Sequence, residues 1–418
     1  MFLKLKRKEI RLNHDVKRVL LRYLNFGSDA RILPVFHYIE QLSENEVEAS
    51  LSQLLQLYQH RHFDCIQQWS DNYNRLGASF NNDDWTHNRK CLLGAYFTME
   101  YSIESAALFN PSIVLLGKPN AASKVDFIMS ARSTGEGHIS SISFIKGTVD
   151  RVGNITLHPR DRKITTGRIT RLDHEEDYDV TFSPDIPINS RVLFPCSPGE
   201  SNGMEDVRLV RFDRGDEEPL YIGTYTAYNG RQIIPKMIST RDFLHFEIRR
   251  LKGDVVKDKG MALFPEKINN QFFMTGRQDG RHSTLMASDK LDEWNTYSLL
   301  TKLKYPWEII QMGNCGSPIK TERGWLLLTH AVGPMRRYVI SAVLLDLHNP
   351  GKIIAHLDQP LLQPEESERE GYVPNVLYTC GATALGNTLI IPYAMSDSTI
   401  GFATANIDEL IDKMVPNA

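Results

Sequence analysis

From about residue 95 onward, the chain alternates short β-branched and aromatic runs with turn residues. Such runs are typical of β-strands, and they lie at 221–228, 232–238, 271–275, 325–330, 338–347 and 388–393. The pairs between them favour hairpin turns: Asn229-Gly230, Asn269-Asn270, Asp279-Gly280, Arg323-Gly324 and Gly386-Asn387. Because no alternating helical segments intervene, the pattern predicts an antiparallel all-β domain and leaves a sandwich, a barrel and a propeller open.

The N-terminal region has a different pattern, with apolar side chains at three- and four-residue spacing. The two stripes are Val16, Val19, Leu20, Tyr23 and Leu24, and Val47, Leu51, Leu54, Leu55 and Tyr58. The second stripe follows Ser43-x-x-Glu46, a capping-box spacing. We therefore predict helices over about 7–75 and divide the chain into an α-helical N-terminal extension, 1–90, and a β domain, 91–418. Such helices could cap one subunit or join copies of the chain into a homo-oligomer.

Composition places the chain among ordinary globular proteins. Its 418 residues are 41% hydrophobic and 24% charged, with a formal net charge of −3. Neither nucleic acid nor an anionic membrane is therefore expected as a partner. The five cysteines are widely spread and lack zinc-ligand spacing, so we expect reduced thiols and no metal. Since the sequence has no signal-peptide pattern and no apolar run of bilayer length, we expect a cytoplasmic protein.

Candidate chemistry begins at Gly203-Met204-Glu205-Asp206-Val207-Arg208, where two adjacent carboxylates lie beside a glycine and an arginine. Because neighbouring side chains of a strand point to opposite faces, Glu205 and Asp206 cannot both enter one pocket by the same route. One is then chemical and the other structural. The alternative is a turn that carries a weak Asp–Arg ion pair at the surface. Walker, Rossmann, G-x-S-x-G and H-E-x-x-H fingerprints are absent, so no nucleotide cofactor is expected.

Basic side chains recur downstream at positions that could hold an anion. The pair Glu266-Lys267 interrupts an apolar run, so Lys267 either pairs with an acid, faces an anionic ligand or lies on a solvent-facing edge. Arg277, His330 and Arg336-Arg337 come from separate segments and could hold phosphate together if they converge. A packed, hydrogen-bonded histidine is the alternative for His330. Several aromatic residues could stack on sugar faces, although core packing is their default: Tyr225, Tyr228, Trp307 and Trp325.

Together these segments resemble the mannoside phosphorylases and β-mannosidases of glycoside hydrolase family one hundred and thirty, from about residue 110 to the C-terminus. The resemblance is carried by an ordered series of motifs rather than by any one of them. The series is Asn110-Pro111-Ser112, Gly203-Met204-Glu205-Asp206-Val207-Arg208, Tyr225-Thr226-Ala227-Tyr228, Phe264-Pro265-Glu266-Lys267-Ile268, Gly313-Asn314-Cys315-Gly316, Gly324-Trp325-Leu326-Leu327-Leu328-Thr329-His330 and Val373-Pro374-Asn375-Val376.

The resemblance implies a five-bladed β-propeller with its site at the mouth of the central channel. It also implies an inverting phosphorolysis of β-mannosides, with 1,2-linked manno-oligosaccharides as the expected substrate and inorganic phosphate as co-substrate. Asp206 would donate a proton through the sugar's own 3-hydroxyl, and phosphate would attack the opposite face to give α-mannose 1-phosphate. By the same resemblance, the expected phosphate contacts are Lys267, His330, Arg277, Arg336 and Arg337, and the expected mannosyl contacts are Asn110, Arg132, Arg208, Tyr225 and Asn375.

Two departures from the family's phosphorylases keep other functions open. They are Ser133-Thr134-Gly135-Glu136-Gly137-His138 after Arg132, and Lys259-Gly260 before Met261. Some members of the family are hydrolases that activate water with glutamates, and here Glu266 or Glu136 could serve as that base. A third interpretation is a propeller without activity that binds glycans or proteins, with the helical region as its interaction arm.

Overall fold

The computed structural model describes residues 5–117, 124–173, 176–215 and 217–417. The α-helices are α1 Asp29–Gln41, α2 Glu44–Tyr58, α3 Cys65–Asn74, α4 His87–Tyr96 and α5 Ile407–Asp412. The strands of the first half are β1 Lys6–Leu12, β2 Val19–Tyr23, β3 Thr98–Ser102, β4 Ala107–Leu115, β5 Lys124–Thr134, β6 Ser140–Asp150, β7 Ile155–Leu157, β8 Thr165–Thr166, β9 Arg168–Leu172, β10 Tyr178–Thr181, β11 Arg191–Leu193 and β12 Gly203–Phe212.

The strands of the second half complete the β structure. They are β13 Leu220–Tyr228, β14 Ile233–Thr240, β15 His245–Arg250, β16 Ala262–Leu263, β17 Phe272–Gly276, β18 Thr284–Ser288, β19 Tyr297–Leu299, β20 Gln311–Asn314, β21 Ile319–Thr321, β22 Gly324–Gly333, β23 Arg337–Leu345, β24 Ile353–His356, β25 Leu377–Tyr378, β26 Thr383–Leu385, β27 Thr388–Met395, β28 Thr399–Asn406 and β29 Val415–Pro416.

The chain divides into two compact units that interleave along the sequence. The β unit comprises residues 1–15, 104–160 and 166–418, and the helical unit comprises residues 16–103 and 161–165. The expected division at residue 90 therefore differs from the observed one. The difference arises because β1 pairs with β28 near the C-terminus, so the first residues of the chain belong to the β unit.

The helical unit packs α1–α4 around its own apolar core, which includes Ile39, Val47, Trp69 and Phe97. Helix α2 begins as predicted, because the side chains and backbone of Ser43 and Glu46 form a complete capping box. The predicted helices at 7–12 and 16–24 are wrong, because strand β1 covers the first segment and the second contains strand β2. Strand β2 pairs with β3, about 80 residues further along, and that tertiary pairing overrides a spacing that is ambiguous in so short a segment.

The strand pairs of the β unit are antiparallel, as the hairpin turns predict, except for β6 and β12, which pair in parallel. The largest sheet has twelve strands, in the order β4-β5-β6-β12-β13-β14-β15-β10-β9, with β7, β8 and β11 at its side. Three further sheets follow along the chain: β16-β17-β18-β19, β20-β22-β23-β24-β29 with β21, and β1-β28-β27-β25 with β26. The main domain is therefore mostly β, in agreement with the sequence pattern.

Apolar clusters lie between and within these sheets, and two of them position the site. One cluster packs the inward faces of β12 and β13, including Met204, Val207 and Leu209, against those of β5 and β6. Another joins β22, β23 and β27 through Leu328, Ile340 and other buried side chains. Burial on both sides makes the register of β12 and β22 costly to shift, so the polar residues at the ends of these strands are held in place.

Candidate active site

A cavity of about 230 Å³ opens in the β unit, where the ends of several strands meet. Its walls are polar, and each sheet of the β unit contributes to them or to the loops that form them. The lining residues are Asn110, Arg132, Asp206, Arg208, Lys259, Gly260, Arg277, Gln311, Asn314, His330, Arg336, Tyr338, Val376, Tyr378 and Asp397. The cavity therefore brings together seven of the side chains that the sequence singled out: Asn110, Arg132, Asp206, Arg208, Arg277, His330 and Arg336.

Two β-bulges turn the side chains of Asn110 and Asp206 toward this cavity. Asn110 in β4 and Asp206 in β12 have positive φ angles of 49° and 57°, and the register of each strand shifts at that residue. A non-glycine residue rarely adopts this conformation, and bulges that re-aim side chains occur next to active sites. As a result, Asn110 Nδ2 donates a hydrogen bond to Asp206 Oδ1 at 2.8 Å.

The bulge also brings both adjacent carboxylates to one guanidinium, which regular strand alternation does not permit. Arg132 donates to Glu205 Oε1 at 2.8 Å and to Asp206 Oδ1 at 3.3 Å. Lys259 Nζ donates to the other oxygen of Glu205 at 2.6 Å. Glu205 is thus held by two cations, whereas Asp206 lines the cavity. The Asp–Arg ion pair at the surface considered from the sequence does not form, because Arg208 is buried and donates to the backbone carbonyl of Asp206, whose carboxylate contacts Arg132 instead.

The electrostatic surroundings of Asp206 favour its ionised form. Burial raises the pKa of Asp206, but Arg132, Arg208 and Lys259 lower it, and the net pKa lies below its ordinary value. Arg208 donates to the backbone carbonyl of Asp206 at 3.0 Å and to the hydroxyl of Tyr378 at 2.6 Å. Asp206 is therefore a carboxylate beside two guanidinium groups and one ammonium group.

The lining of the cavity also contains Arg277 and His330. Arg277 lies 3.5 Å from His330 Nε2 and 3.7 Å from Asp258 Oδ2. Gln311 Nε2 also donates to His330 Nε2, at 3.1 Å, and His330 Nδ1 lies 3.1 Å from the carbonyl oxygen of Asn314. Burial, together with the charge of Arg277, lowers the pKa of His330 to about 3. His330 is therefore neutral in this pocket.

Four buried polar atoms of the lining have no hydrogen-bond partner within the part of the chain that the structure describes. Two are donors, Arg208 Nε and Arg277 Nε, and two are acceptors, Asn110 Oδ1 and Asn314 Oδ1. Leaving such atoms unpaired costs about 1–3 kcal/mol each. A ligand that presents both acceptors and hydroxyl donors would satisfy all four.

The sequence motifs do not identify several residues of this cavity. Lys259 stands out only as a departure from the family's pattern, and no motif includes Gln311. Asp397 follows β27 in a turn where Ser396 and Asp397 have φ angles of 48° and 50°. Burial, and then the charge of Asp206, raise the pKa of Asp397 to about 7. The only sequence signal for Asp397 is the polar pair Ser396-Asp397 after the apolar strand β27, and such a pair is common in turns.

Other residues expected at the site lie elsewhere. Lys267 is exposed, and its Nζ lies 4.3 Å from the centroid of the Phe272 ring. Glu266 pairs with Lys320, and both line a different cavity. The direction of β12 explains this placement. The backbone N–H of Asp213 donates to the carbonyl oxygen of Pro265, the residue before Glu266. Asp213 lies seven residues beyond Asp206, which is roughly 20 Å along a strand. These two residues are therefore near the opposite end of β12.

The remaining expected residues are engaged outside the lining of the cavity. Tyr225 is buried in the core and donates to Glu200 Oε1 at 2.5 Å. Arg337 is exposed and hydrogen bonds to Gln363. Asn375 Oδ1 accepts from Arg369 at 2.8 Å, next to the lining residue Val376. Glu136 lies exposed in the short 3-10 helix Glu136–His138.

Within the described ranges, no cluster of three or more His, Cys, Asp or Glu side chains could hold a metal ion. In the same ranges, no helix combines the length and apolar character needed to cross a bilayer. The five cysteines are free thiols, and burial raises the pKa of Cys91 to about 11. The polar cavity therefore remains the principal site for chemistry.

Comparison with known proteins places this architecture in a family. The family model described as beta-1,4-mannooligosaccharide phosphorylase, that of glycoside hydrolase family 130, matches residues 173–415. A 1,2-beta-oligomannan phosphorylase of Thermoanaerobacter sp. (strain X514) is 34% identical over 220 residues, which are 50% of this chain and 71% of that protein. A beta-1,2-mannobiose phosphorylase of Listeria innocua is 28% identical over 236 residues, 53% of this chain and 63% of that protein.

Solved structures agree at the level of the fold. The beta-1,2-mannobiose phosphorylase from Listeria innocua, in complex with beta-1,2-mannobiose, superposes with a TM-score of 0.52 at 20% identity and covers 75% of this chain and 93% of that one. A second structure superposes with a TM-score of 0.54 at 16% identity, covering 74% of this chain and 87% of that one. Its title describes glycoside hydrolases of the same family that target beta-1,2 mannosidic linkages in Candida mannan.

The fold and the cavity together define a mostly β protein whose polar pocket combines carboxylates with cationic side chains. The family model covers more than half of the chain. The chain therefore belongs to glycoside hydrolase family 130, as the ordered motifs indicated.

Proposed function

We propose that this protein cleaves β-mannosides with inorganic phosphate, with inversion, and releases α-mannose 1-phosphate. The proposed substrates are β-1,2-linked manno-oligosaccharides. This proposal is supported by the relatives, two of which are named for phosphorolysis of 1,2-linked mannosides. The cavity described above is the proposed active site.

The charge balance of the cavity is the observation that carries the proposal. Among the described residues that line it, five side chains are cationic and two are carboxylic: Arg132, Arg208, Lys259, Arg277 and Arg336 against Asp206 and Asp397. Glu205 and Asp258, outside the lining, lie against Arg132, Lys259 and Arg277, and with them the cations still outnumber the carboxylates by five to four. Because Arg208 is buried, an anionic ligand that reaches it would offset the cost of burying its charge. The unpaired Nε atoms of Arg208 and Arg277 are suitable donors to phosphate oxygens, and the unpaired oxygens of Asn110 and Asn314 are suitable acceptors for sugar hydroxyls.

Asp206 is the proposed proton donor, acting through the 3-hydroxyl of the mannosyl unit. A carboxylate with a lowered pKa cannot donate a proton, so the ligands must change its state. A phosphate dianion beside Arg208 offsets the cationic charge that lowers the pKa of Asp206, and the sugar further excludes water. Both effects raise the pKa of Asp206 toward the protonated form that general acid catalysis requires.

Phosphate is proposed to lie against Arg208, Arg277, Arg336 and His330, across the bound sugar from the carboxylate of Asp206. Inversion requires the acid and the nucleophile on opposite faces of the sugar, with room between them. Phosphate is already an anionic nucleophile, so no second carboxylate is needed as a base. Arg132 and Asn110 contact Asp206, and we assign them to the mannosyl side of the cavity.

A five-bladed propeller is the proposed arrangement of the β unit. Five successive groups of antiparallel strands support it: β4–β6, β12–β15, β16–β19, β20–β24 and β25–β28. Strand β1 joins the last group by pairing with β28, which is how a propeller would link its first and last segments. In this arrangement the innermost strands would surround the cavity.

Hydrolysis by an activated water is the alternative within the same family. Its expected bases were Glu266 and Glu136. Glu266 pairs with Lys320 in another cavity, and Glu136 is exposed. Neither location suits a base that must lie across the sugar from Asp206. This placement supports phosphate as the nucleophile.

Initial rates with β-1,2-mannobiose at varied phosphate concentration test the proposal, with Arg277→Gln and Lys267→Gln as a matched pair. The rate should be negligible without phosphate. Because the Arg277→Gln variant lacks a charge-assisted contact to phosphate, its KM for phosphate should be about tenfold or more above that of the wild type. Lys267 is exposed and outside the cavity, so its variant should stay within about twofold of the wild type. Cleavage that is indifferent to phosphate would refute the proposal.

A further inference from the structure

The imidazole ring of His330 is held rigidly in the wall of the cavity. It lies parallel to the ring of Tyr338, with centroids 6.0 Å apart, and edge-on to the ring of Tyr378 at 4.9 Å. A Cβ atom at Gly313 would lie 2.5 Å from the imidazole Cε1, so the ring packs directly on that glycine. Its two nitrogens therefore face fixed directions.

The partners of these nitrogens determine which one carries the proton. Nδ1 faces the backbone carbonyl oxygen of Asn314 at 3.1 Å, and a carbonyl oxygen can only accept, so Nδ1 must be the N–H. Nε2 faces the guanidinium of Arg277 at 3.5 Å, and a guanidinium can only donate, so Nε2 must carry the lone pair. The amide nitrogen of Gln311 donates to the same lone pair at 3.1 Å.

A second proton on this ring is strongly disfavoured. The side chain of His330 is buried, and the positive charge of Arg277 faces it directly. These two effects lower its pKa to about 3, with a further unfavourable contribution from Arg208. Asp206 acts in the opposite direction but does not compensate. His330 is thus an acceptor toward the cavity, and not a cation.

We propose that His330 makes the anion site selective for an oxyanion that carries a hydroxyl group, because Nε2 can accept that hydroxyl but repels a bare oxygen. This inference rests on the proposed function, in which phosphate lies beside His330. Gln311 and Arg277 reach Nε2 with the ends of long side chains, and both can turn toward the unprotonated oxygens of the anion. The hydroxyl of hydrogenphosphate then takes their place on Nε2.

Sulfate provides the contrast, because it matches phosphate in shape but has no hydroxyl at neutral pH. Charge alone would not discriminate against it, since sulfate is fully dianionic and the cavity is cationic. With sulfate, Gln311 has to stay on Nε2 and cannot also donate to the anion, so the complex has one hydrogen bond fewer, a loss that corresponds to about tenfold or more in affinity. Arsenate carries a hydroxyl, as phosphate does, and should bind like phosphate.

Calorimetric titration of the full chain with phosphate, arsenate and sulfate, at neutral pH and constant ionic strength, tests this inference. The wild type should bind phosphate and arsenate similarly and sulfate at least about tenfold more weakly. In His330→Gln, the amide can turn to donate or to accept, so the preference for phosphate over sulfate should shrink. Arg336→Gln is the matched control, and it should weaken all three anions while leaving their ratios unchanged.

The outcomes separate this inference from the function on which it rests. Sulfate that binds the wild type as tightly as phosphate would overturn the inference, and so would an unchanged preference in His330→Gln. Both results leave phosphate-dependent cleavage intact. If phosphate does not bind and cleavage of β-1,2-mannobiose does not depend on it, the proposed function fails and the inference fails with it.

Discussion

Asp206 reaches the cavity because one residue of β12 leaves the regular strand conformation. Its φ angle of 57° and the register shift beside it turn the carboxylate toward Asn110 and Arg132. Regular alternation would have separated Asp206 from Glu205. The bulge instead places both near one guanidinium, and only Asp206 lines the cavity.

Replacement of Asp206 by asparagine tests its role as the proton donor. Asp206→Asn keeps the size of the side chain, but it should lower the rate of phosphorolysis of β-1,2-mannobiose about a hundredfold or more. An aryl β-mannoside with a good leaving group needs little proton donation, so its cleavage should fall much less. Equal losses on both substrates, measured as kcat/KM, would indicate a structural role and contradict the assignment.

Asp397 should make stability depend on pH in a defined direction. Its pKa is raised to about 7 in the folded chain, whereas it is about 4 in an unfolded one. Between these values the folded state holds the extra proton, so this residue's contribution to stability is complete below about pH 4 and is lost as pH rises through about 7.

Asp397→Asn removes this dependence, because an amide does not ionise. Relative to the wild type, the variant should gain at least about 1 kcal/mol in the free energy of unfolding between pH 4 and pH 8. Urea unfolding of both proteins at each pH gives this difference directly. Parallel pH profiles would show that Asp397 is not desolvated beside Asp206.

The sequence motifs include many of the residues that line the cavity, among them Asp206, Arg208, Arg277 and His330. They do not show which basic residues converge there. Lys267 follows a short strand that leads away from the cavity, and Lys259 lies on a loop that leads into it. This difference depends on strand direction and on side-chain contacts. Asp397 could not be predicted because an Asp in a turn has no distinctive pattern.

Among the elements, β1 links the two ends of the β unit. Arg7 in this strand donates to both carboxylate oxygens of Glu368, at 3.1 and 3.2 Å, and the buried Tyr393 hydroxyl donates to the same carboxylate at 2.6 Å. Glu368 is almost fully buried. Its backbone carbonyl accepts from Ser396 at 2.8 Å, next to Asp397 of the cavity.

Arg7→Met should therefore destabilise the β unit. The substitution keeps the apolar stem but leaves the Glu368 carboxylate without its cation, at a cost of about 2 kcal/mol because Arg7 is itself only half-buried. Arg11→Met is the control on the same strand, since Arg11 is exposed and donates to backbone carbonyls of its own strand. Chemical denaturation should show a lower midpoint for the first variant only, and equal midpoints would contradict this role for β1.

Strands and turns were predictable where the local signals agreed. Asn229-Gly230 joins β13 to β14 and Gly386-Asn387 joins β26 to β27, as hairpin chemistry indicates. The capping box of Ser43 marked the start of α2. Strand β2 was not predictable, because five residues with helix-like spacing cannot reveal a partner strand about 80 residues away.

At the scale of the whole molecule, the chain forms two units with separate cores, and every residue of the cavity belongs to the β unit. Phosphate should therefore stabilise that unit. At about 100 times its Kd, a ligand that binds only the folded state adds about 2.7 kcal/mol. Hydrogen exchange should slow in β12 and β22 when phosphate is added and should be unchanged in α2. Slowing confined to α1–α4 would place the anion elsewhere.

The division into units was only partly visible in the sequence. The change of pattern near residue 95 is close to the return of the chain to the β unit at residue 104. The assignment of β1 and of residues 161–165 rests on contacts between distant segments. Local periodicity does not contain that information.

Phosphorus NMR of β-1,2-mannobiose incubated with the protein and inorganic phosphate distinguishes phosphorolysis from hydrolysis. We expect the signal of α-mannose 1-phosphate to grow as that of inorganic phosphate falls, with one free mannose released for each phosphate consumed. Without phosphate, the disaccharide should persist. Release of two mannose molecules per disaccharide at an unchanged phosphate signal would show hydrolysis and refute the proposed phosphorolysis.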